Sequence, residues 1–124
     1  MFSVNEEMFS EMMETALHNI PEPFKRKMEN LAFMVEPYPT DADLGRVGLK
    51  DKYSLLGIYS GTPYTYRNTY YMNTTPDRII LFQKNIERYA NSRDELMEKI
   101  KEVLIHEIGH YFGMSEDEVR AAGY

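Results

Sequence analysis

The chain has 124 residues, of which 43% are hydrophobic and 27% charged, and these proportions predict a single domain over residues 1–124 with a modest core. The formal net charge of -6 and a sequence pI near 5.1 oppose binding to the phosphate backbone of nucleic acid. Cysteine is absent, which excludes disulfide bonds and thiolate ligands and leaves histidine and carboxylate to hold any metal.

The N-terminal stretch predicts no export signal. Residues 1–13 have neither a basic start nor an unbroken apolar run, so they do not match a secretion signal. No run of about 18 apolar residues occurs anywhere, which argues against a membrane-spanning helix. We therefore expect a soluble cytoplasmic protein that binds neither membrane nor nucleic acid.

The first part of the chain predicts an amphipathic helix followed by a strand. Apolar residues recur at helical spacing across residues 6–19, and Pro21 and Pro23 end this pattern. His18, near the end of the helix, has no partner at ligand spacing and is expected to face solvent. The apolar run at residues 31–35 favours a strand that is covered on both faces.

The middle of the chain predicts a short helix and two more strands. Thr40 is a suitable N-cap for a brief helix that ends near Gly48. Residues 55–59 and 78–82 are apolar runs beside turn-forming residues, which is typical of strands. The tyrosine-rich stretch 64–71 indicates a half-exposed strand or loop, or alternatively the lining of a binding cleft.

The longest predicted helix begins at Ser92, which forms a capping-box pattern with Glu95. Apolar residues follow along one face, whereas His106 and His110 fall on the other side among charged residues, so they should point away from the core. An active-site helix beneath an open cleft and a plain amphipathic helix both give this pattern. Gly113 ends the helix, because glycine adopts the backbone angles that bend the chain back.

The HEIGH motif on this helix indicates a zinc site. His106 and His110 are four residues apart, so both imidazoles can reach one metal ion from the same helical face. Glu107, between them, is a candidate general base. Gly109 is costly inside a helix, and it indicates a close approach by another backbone beside the metal.

A third ligand is expected just beyond the bend. Catalytic zinc sites usually have three protein ligands, and Glu116 is the candidate, with Asp117 as its substitute. Ser115 and Glu118 also predict a second capping box, which places both acidic residues in the first turn of a final short helix. Alternatively, acidic side chains in the first turn of a helix only stabilise that helix through its dipole.

With these residues in place, the segment HEIGHYFGMSE resembles zincin metallopeptidases, and the chain resembles the small bacterial family of minimal zincins, or zincin-like metallopeptidases. The resemblance extends to LLGIYSGTPYT, PDRIILFQKNI and the closing AAGY. Relatives often have histidine where this chain has Tyr111, and aspartate in place of Glu116.

The resemblance implies an α+β fold in which a small mixed sheet of about three to four strands packs against helices, with the active-site helix near the C-terminus. It also implies Zn²⁺ bound by His106, His110 and an acidic residue, here Glu116, and activity towards a peptide or protein substrate.

Our leading hypothesis is hydrolysis of a peptide bond by a zinc-activated water, with Glu107 as general base. Tyr111 or a tyrosine in 64–71 would supply an oxyanion donor, and strand 78–82 would offer a free edge to the peptide. One alternative is a zinc-binding interaction domain without catalytic activity, with a zincin-like fold. Another is a metal-free module in which the histidines are bystanders.

Overall fold

The computed structural model describes residues 1–61 and 77–121, which form six helices and three strands. The tyrosine-rich stretch 64–71 and residues 122–124 lie outside the described residues. In chain order the elements are α1 (Glu6–His18), α2 (Glu22–Lys27), β1 (Leu31–Glu36), α3 (Asp41–Arg46), β2 (Gly57–Ser60), β3 (Asp77–Phe82), α4 (Gln83–Glu87), α5 (Arg93–Tyr111) and α6 (Glu116–Ala121).

The three described strands form one mixed sheet with β3 in the centre. β1 runs parallel to β3 with Leu31 opposite Asp77, and β2 runs antiparallel to β3 with Gly57 opposite Leu81. This arrangement confirms the predicted α+β fold with a small mixed sheet packed against helices, and the helix that carries the HEIGH motif, α5, lies near the C-terminus. The prediction that 78–82 offers a free edge is wrong, because β3 is hydrogen-bonded to a neighbour on each side.

The main core lies between one face of the sheet and the helices α1 and α5. The predicted stripe of α1 is confirmed, with Phe9, Met12, Met13 and Ala16 buried. On α5 the predicted apolar face is buried at Leu96, Ile100, Leu104 and Ile108, and Val103 and Tyr111 are buried as well. α5 therefore has one side in the core, and its other side is available for a site.

Strand β1 is covered on one face only, so the prediction of two covered faces is wrong. Leu31, Phe33 and Val35 contact the main core, whereas Met34 between them is 39% exposed. The physical reason is the alternation of side chains along a strand. The second face carries a smaller cluster farther along the sheet, formed by Ile58, Ile80 and Phe82 with Leu55 against them.

The short helix α3 confirms the prediction at Thr40. The Thr40 hydroxyl accepts a hydrogen bond from the Asp43 N–H at 3.1 Å, and the Asp43 carboxylate accepts one from the Thr40 N–H at 3.0 Å. His18 is exposed at the end of α1, as expected. Within the described ranges, no helix has the length and apolar character that crossing a bilayer requires.

Candidate metal centre

Hydrogen bonds fix the start of α5, the helix that carries the motif. The Ser92 hydroxyl accepts a hydrogen bond from the Glu95 N–H at 3.1 Å, as the capping-box pattern predicts. The Glu95 carboxylate returns to the Asn91 N–H at 3.1 Å, one residue earlier than in the standard box. The helix thus begins at a defined residue, and this start determines which face of the helix each later side chain occupies.

Gly113 ends α5 and bends the chain back, as predicted. Its φ of 87° lies in the left-handed region, which glycine adopts at little cost. The Gly113 N–H donates to the His110 carbonyl at 2.9 Å, and the Met114 N–H donates to the Gly109 carbonyl at 3.0 Å. These two bonds form a Schellman motif, which satisfies carbonyls at the helix end.

The following helix, α6, begins with the predicted second capping box. The Ser115 hydroxyl accepts from the Glu118 N–H at 3.2 Å, and the Glu118 carboxylate accepts from the Ser115 N–H at 3.1 Å. Glu116 is therefore the first residue of α6. The bend at Gly113 and this cap together bring its side chain back over the last turn of α5.

The Glu116 carboxylate meets both imidazoles. Its Oε1 lies 2.8 Å from Nε2 of His106 and 2.9 Å from Nε2 of His110. One ligand atom from each of the three residues lies within 4.8 Å of the other two. Asp117, the substitute third ligand, is not in this group. The structure thus brings together the three residues that the motif singled out.

A backbone carbonyl orients His110. Nδ1 of His110 lies 2.9 Å from the Met114 carbonyl oxygen, which can only accept, so Nδ1 carries the proton. Nε2 then points at Glu116 and is the nitrogen available to a metal ion. Such a bond on the far nitrogen is the usual way in which a metal-binding imidazole is held in place. No pattern in the sequence indicates this carbonyl.

Glu116 is held in its ionised form. Burial tends to raise its pKa, but hydrogen bonds with His106, His110 and Arg120 outweigh burial and lower the pKa of Glu116 to about 2. The Arg120 bond runs from Nε to Oε2 at 3.2 Å, which leaves Oε1 for the imidazoles. A permanently charged oxygen is the form in which a carboxylate binds zinc.

Glu107 is buried beside the histidines, with only 8% of its surface exposed. Burial raises the pKa of Glu107 above its ordinary value, although the two imidazoles and a hydrogen bond from the Tyr59 backbone N–H act in the opposite direction. A carboxylate with a raised pKa takes up and releases a proton more readily near neutral pH.

Gly57 lets β2 approach α5 closely enough to supply the Tyr59 bond. A Cβ atom at position 57 would lie 2.9 Å from Cγ1 of Val103 and 3.3 Å from Cγ of Glu107. The first distance is shorter than side chains tolerate, so any larger residue would push the strand and the helix apart. Sequence reasoning missed this role, although a glycine inside a strand often marks a close approach.

Gly109 also permits a close approach, but the prediction of a neighbouring backbone there is wrong. A Cβ at this position would lie 2.9 Å from Cγ2 of Val119, a side chain of α6. The buried Val119 packs α6 onto α5 at this point. Gly109 therefore helps to bring Glu116 to the histidines.

Tyr111 is not an oxyanion donor in this structure. It is 1% exposed, and its hydroxyl donates to the Lys27 carbonyl at 2.8 Å. That bond directs the hydroxyl towards the C-terminal end of α2. The other tyrosines proposed for this role, in 64–71, lie outside the described residues.

A cavity of about 950 Å³ opens over the candidate centre. The residues of α5 and α6 that line it are polar or charged for the most part: Lys99, Glu102, Val103, His106, Glu107, His110, Glu116 and Arg120. The cavity is large enough for a few residues of a peptide, in the size range of small-molecule sites. The three candidate ligands and the buried carboxylate thus face one accessible space.

The three candidate ligand atoms suit zinc in kind, and the carboxylate oxygen lies near each imidazole nitrogen at almost the required spacing. Two imidazoles and one carboxylate form a known catalytic zinc set, which leaves a fourth position for water or substrate. Tetrahedral bonds of about 2.0–2.1 Å separate ligand atoms by about 3.3 Å. The two contacts of 2.8 and 2.9 Å therefore need to lengthen by roughly 0.4–0.5 Å, and the half-exposed Glu116 side chain has room for that change.

Glu107→Gln is expected to stabilise the metal-free protein by a few degrees at pH 7. Below its unfolded pKa of 4.5 the carboxyl is protonated in both states, so burial carries no charge penalty. As the pH rises, the unfolded chain ionises first, and the wild type loses stability that the glutamine variant keeps. Thermal unfolding with a chelator at pH 4 and pH 7 measures this. If the thermal midpoints of the variant and the wild type differed by the same amount at pH 4 and at pH 7, the prediction would be contradicted.

Gly57→Ala is expected to lower the free energy of unfolding by about 1–3 kcal/mol, because the added methyl group overpacks the contact between β2 and α5. Urea unfolding measures the change. Gly45→Ala is the matched control, since a Cβ there meets nothing within 4 Å and alanine favours its helix, α3. Equal stability of both variants would show that the contact at Gly57 is not close.

Comparison with protein families agrees with the geometry of the site. A sequence model described as zincin-like metallopeptidase matches residues 28–124, a range that contains every residue of the candidate centre. Comparison with curated proteins gives no match. The family implies a metal, usually zinc, and the match confirms the resemblance that the motif suggested. The chain belongs to the zincin-like metallopeptidase family.

Proposed function

We propose that this protein is a zinc-dependent peptidase, in which His106, His110 and Glu116 hold the metal and Glu107 is the general base. One observation carries the proposal: the three ligand atoms converge within 4.8 Å at a cavity that the buried Glu107 also lines. A plain amphipathic helix gives no reason for Glu116 to return from the next helix and contact both imidazoles.

Each residue has a separate task. Zinc, when bound, supplies a Lewis acid that activates water and polarises the carbonyl of the bond to be cut. Glu107 accepts the proton from the attacking water and then donates it to the departing amine, so its charge is restored at the end of the cycle. The Tyr59 N–H holds one Glu107 oxygen in position between these two transfers.

The metal and the protons compete for the same atom. Nδ1 of His110 is directed at a carbonyl oxygen, and Nε2 faces the ionised Glu116 carboxylate at 2.9 Å, so Nε2 is the nitrogen that a metal would use. A metal ion held at this nitrogen would require it to be unprotonated. We therefore expect zinc affinity to weaken in acid, as it does wherever ligands must release protons.

The test combines metal analysis with an unbiased cleavage assay. The purified protein should contain about one zinc per chain and should cleave members of a peptide library, with activity lost on chelation and restored by zinc. A zinc-loaded protein that cleaves no peptide would favour the interaction domain without activity. A protein that takes up no zinc would overturn the proposal altogether.

A further inference from the structure

The lining of the cavity over the candidate centre includes several large apolar side chains from one segment of the chain. The segment between α3 and β2, which we call the apolar wall, lines the cavity with Val47, Leu49, Leu55 and Leu56. Val47 is 44% exposed and Leu49 is 38% exposed. The part of the lining that α5 and α6 contribute carries the candidate ligands and charged side chains. Large apolar residues left open inside a functional cavity indicate where an apolar part of a ligand binds.

The C-terminal turn of α3 fixes the first half of the apolar wall. Gly48 has a φ of 72°, and its N–H donates to the Gly45 carbonyl at 3.4 Å. The Leu49 N–H donates to the Leu44 carbonyl at 3.0 Å. These bonds form the same Schellman motif that ends α5. Val47 and Leu49 therefore follow a defined turn and have a defined position.

A buried amide fixes the second half of the wall. Nδ2 of Asn85, a fully buried residue of α4, donates to the carbonyls of Lys52 at 2.6 Å and Leu55 at 2.8 Å. Nη2 of Arg46 also donates to the Ser60 hydroxyl at 2.7 Å, which ties the end of α3 to β2. A wall held at several points selects a ligand by shape, because little ordering is needed on binding.

We propose that the apolar wall selects peptide substrates with a bulky apolar side chain, such as leucine, close to the bond that is cut. This inference rests on the proposed function, since it needs a peptide held over the metal centre. Leu49 and Val47 would contact that side chain and act as specificity residues. The polar part of the lining would then contact the peptide backbone.

The test uses two peptide hydroxamates that bind zinc through the same group and differ in one side chain, leucine or serine, next to that group. Calorimetry on the zinc-loaded protein measures both affinities without any need for cleavage. We expect the leucine probe to bind about ten-fold tighter, the order that burial of one such side chain gives. Equal affinities would overturn the proposal.

Variants of the apolar wall test which residues cause the preference for the leucine probe. Leu49→Ser and Val47→Ser should each reduce the ten-fold ratio to about three-fold or less, because each removes apolar contact area. Met34→Ser is the matched control, since Met34 has 39% exposure on β1 and does not line the cavity. In Met34→Ser the ratio of the affinities for the leucine and serine probes should match that of the wild type. A ratio unchanged in both wall variants would overturn the proposal.

The same measurement separates the two proposals from each other. Binding of both probes with equal affinity shows an accessible zinc and contradicts only the apolar wall. Binding of neither probe to the zinc-loaded protein contradicts the proposed function, because the metal then has no position for a ligand. The proposal for the apolar wall fails with it.

Discussion

Replacing Glu107 with glutamine is expected to slow peptide cleavage by about 10²–10⁴-fold, the usual contribution of a general acid–base group, while zinc stays bound. Glutamine keeps the shape of the side chain and can still accept the Tyr59 hydrogen bond, but it cannot take a proton from water. The proposed metal ligands His106, His110 and Glu116 remain unchanged. Steady-state kinetics on a cleaved library peptide and metal analysis of the same sample measure the two effects.

Glu98→Gln is the control for this experiment, because Glu98 lies on the same helix, is 77% exposed and does not line the cavity. Its cleavage rate should equal that of the wild type. If Glu107→Gln cleaved peptides at the wild-type rate, the general base would have to be another group. If Glu107→Gln lost its zinc, the carboxylate would be part of the metal centre instead.

His110→Ala is expected to remove the stabilisation of the fold by zinc. A ligand present at 1,000 times its dissociation constant stabilises the folded state by about 4 kcal/mol, which corresponds to roughly 10–20 °C in the thermal midpoint for a domain of this size. Without His110 only two of the three ligands remain, and most of this difference should disappear. His106→Ala should give the same result.

Thermal unfolding with excess zinc and with a chelator measures the difference for each variant. His18→Ala is the matched control, because the chain's third histidine is exposed on α1 and does not belong to the ligand cluster. Its zinc-dependent shift should equal that of the wild type. A full shift in His110→Ala would place the zinc elsewhere in the protein and contradict the centre described above.

Local patterns predicted the elements around the site correctly because local interactions determine them. Ser92, Thr40 and Ser115 each cap the helix that the pattern predicted, since a cap depends on residues only three apart in the chain. Gly113 ends α5 for the same reason. The family resemblance followed from this continuous segment, and the match over residues 28–124 confirms it.

Contacts between distant parts of the chain were the source of the errors. The sequence does not reveal that β3 lies between β1 and β2, so residues 78–82 were wrongly given a free edge. Tyr111 was a reasonable oxyanion donor until the structure placed its hydroxyl on Lys27, which is far away in sequence. In both cases the deciding partner lies in another element of the fold.

The spacing of the motif already identified His106, Glu107 and His110 as one group, because the pitch of a helix places residues four apart on the same face. The tertiary structure alone decided how Glu116 meets them, since that contact depends on the bend at Gly113 and on the packing of α6. It also decided the environment of Glu107: burial and the Tyr59 hydrogen bond arise only when β2 packs against α5.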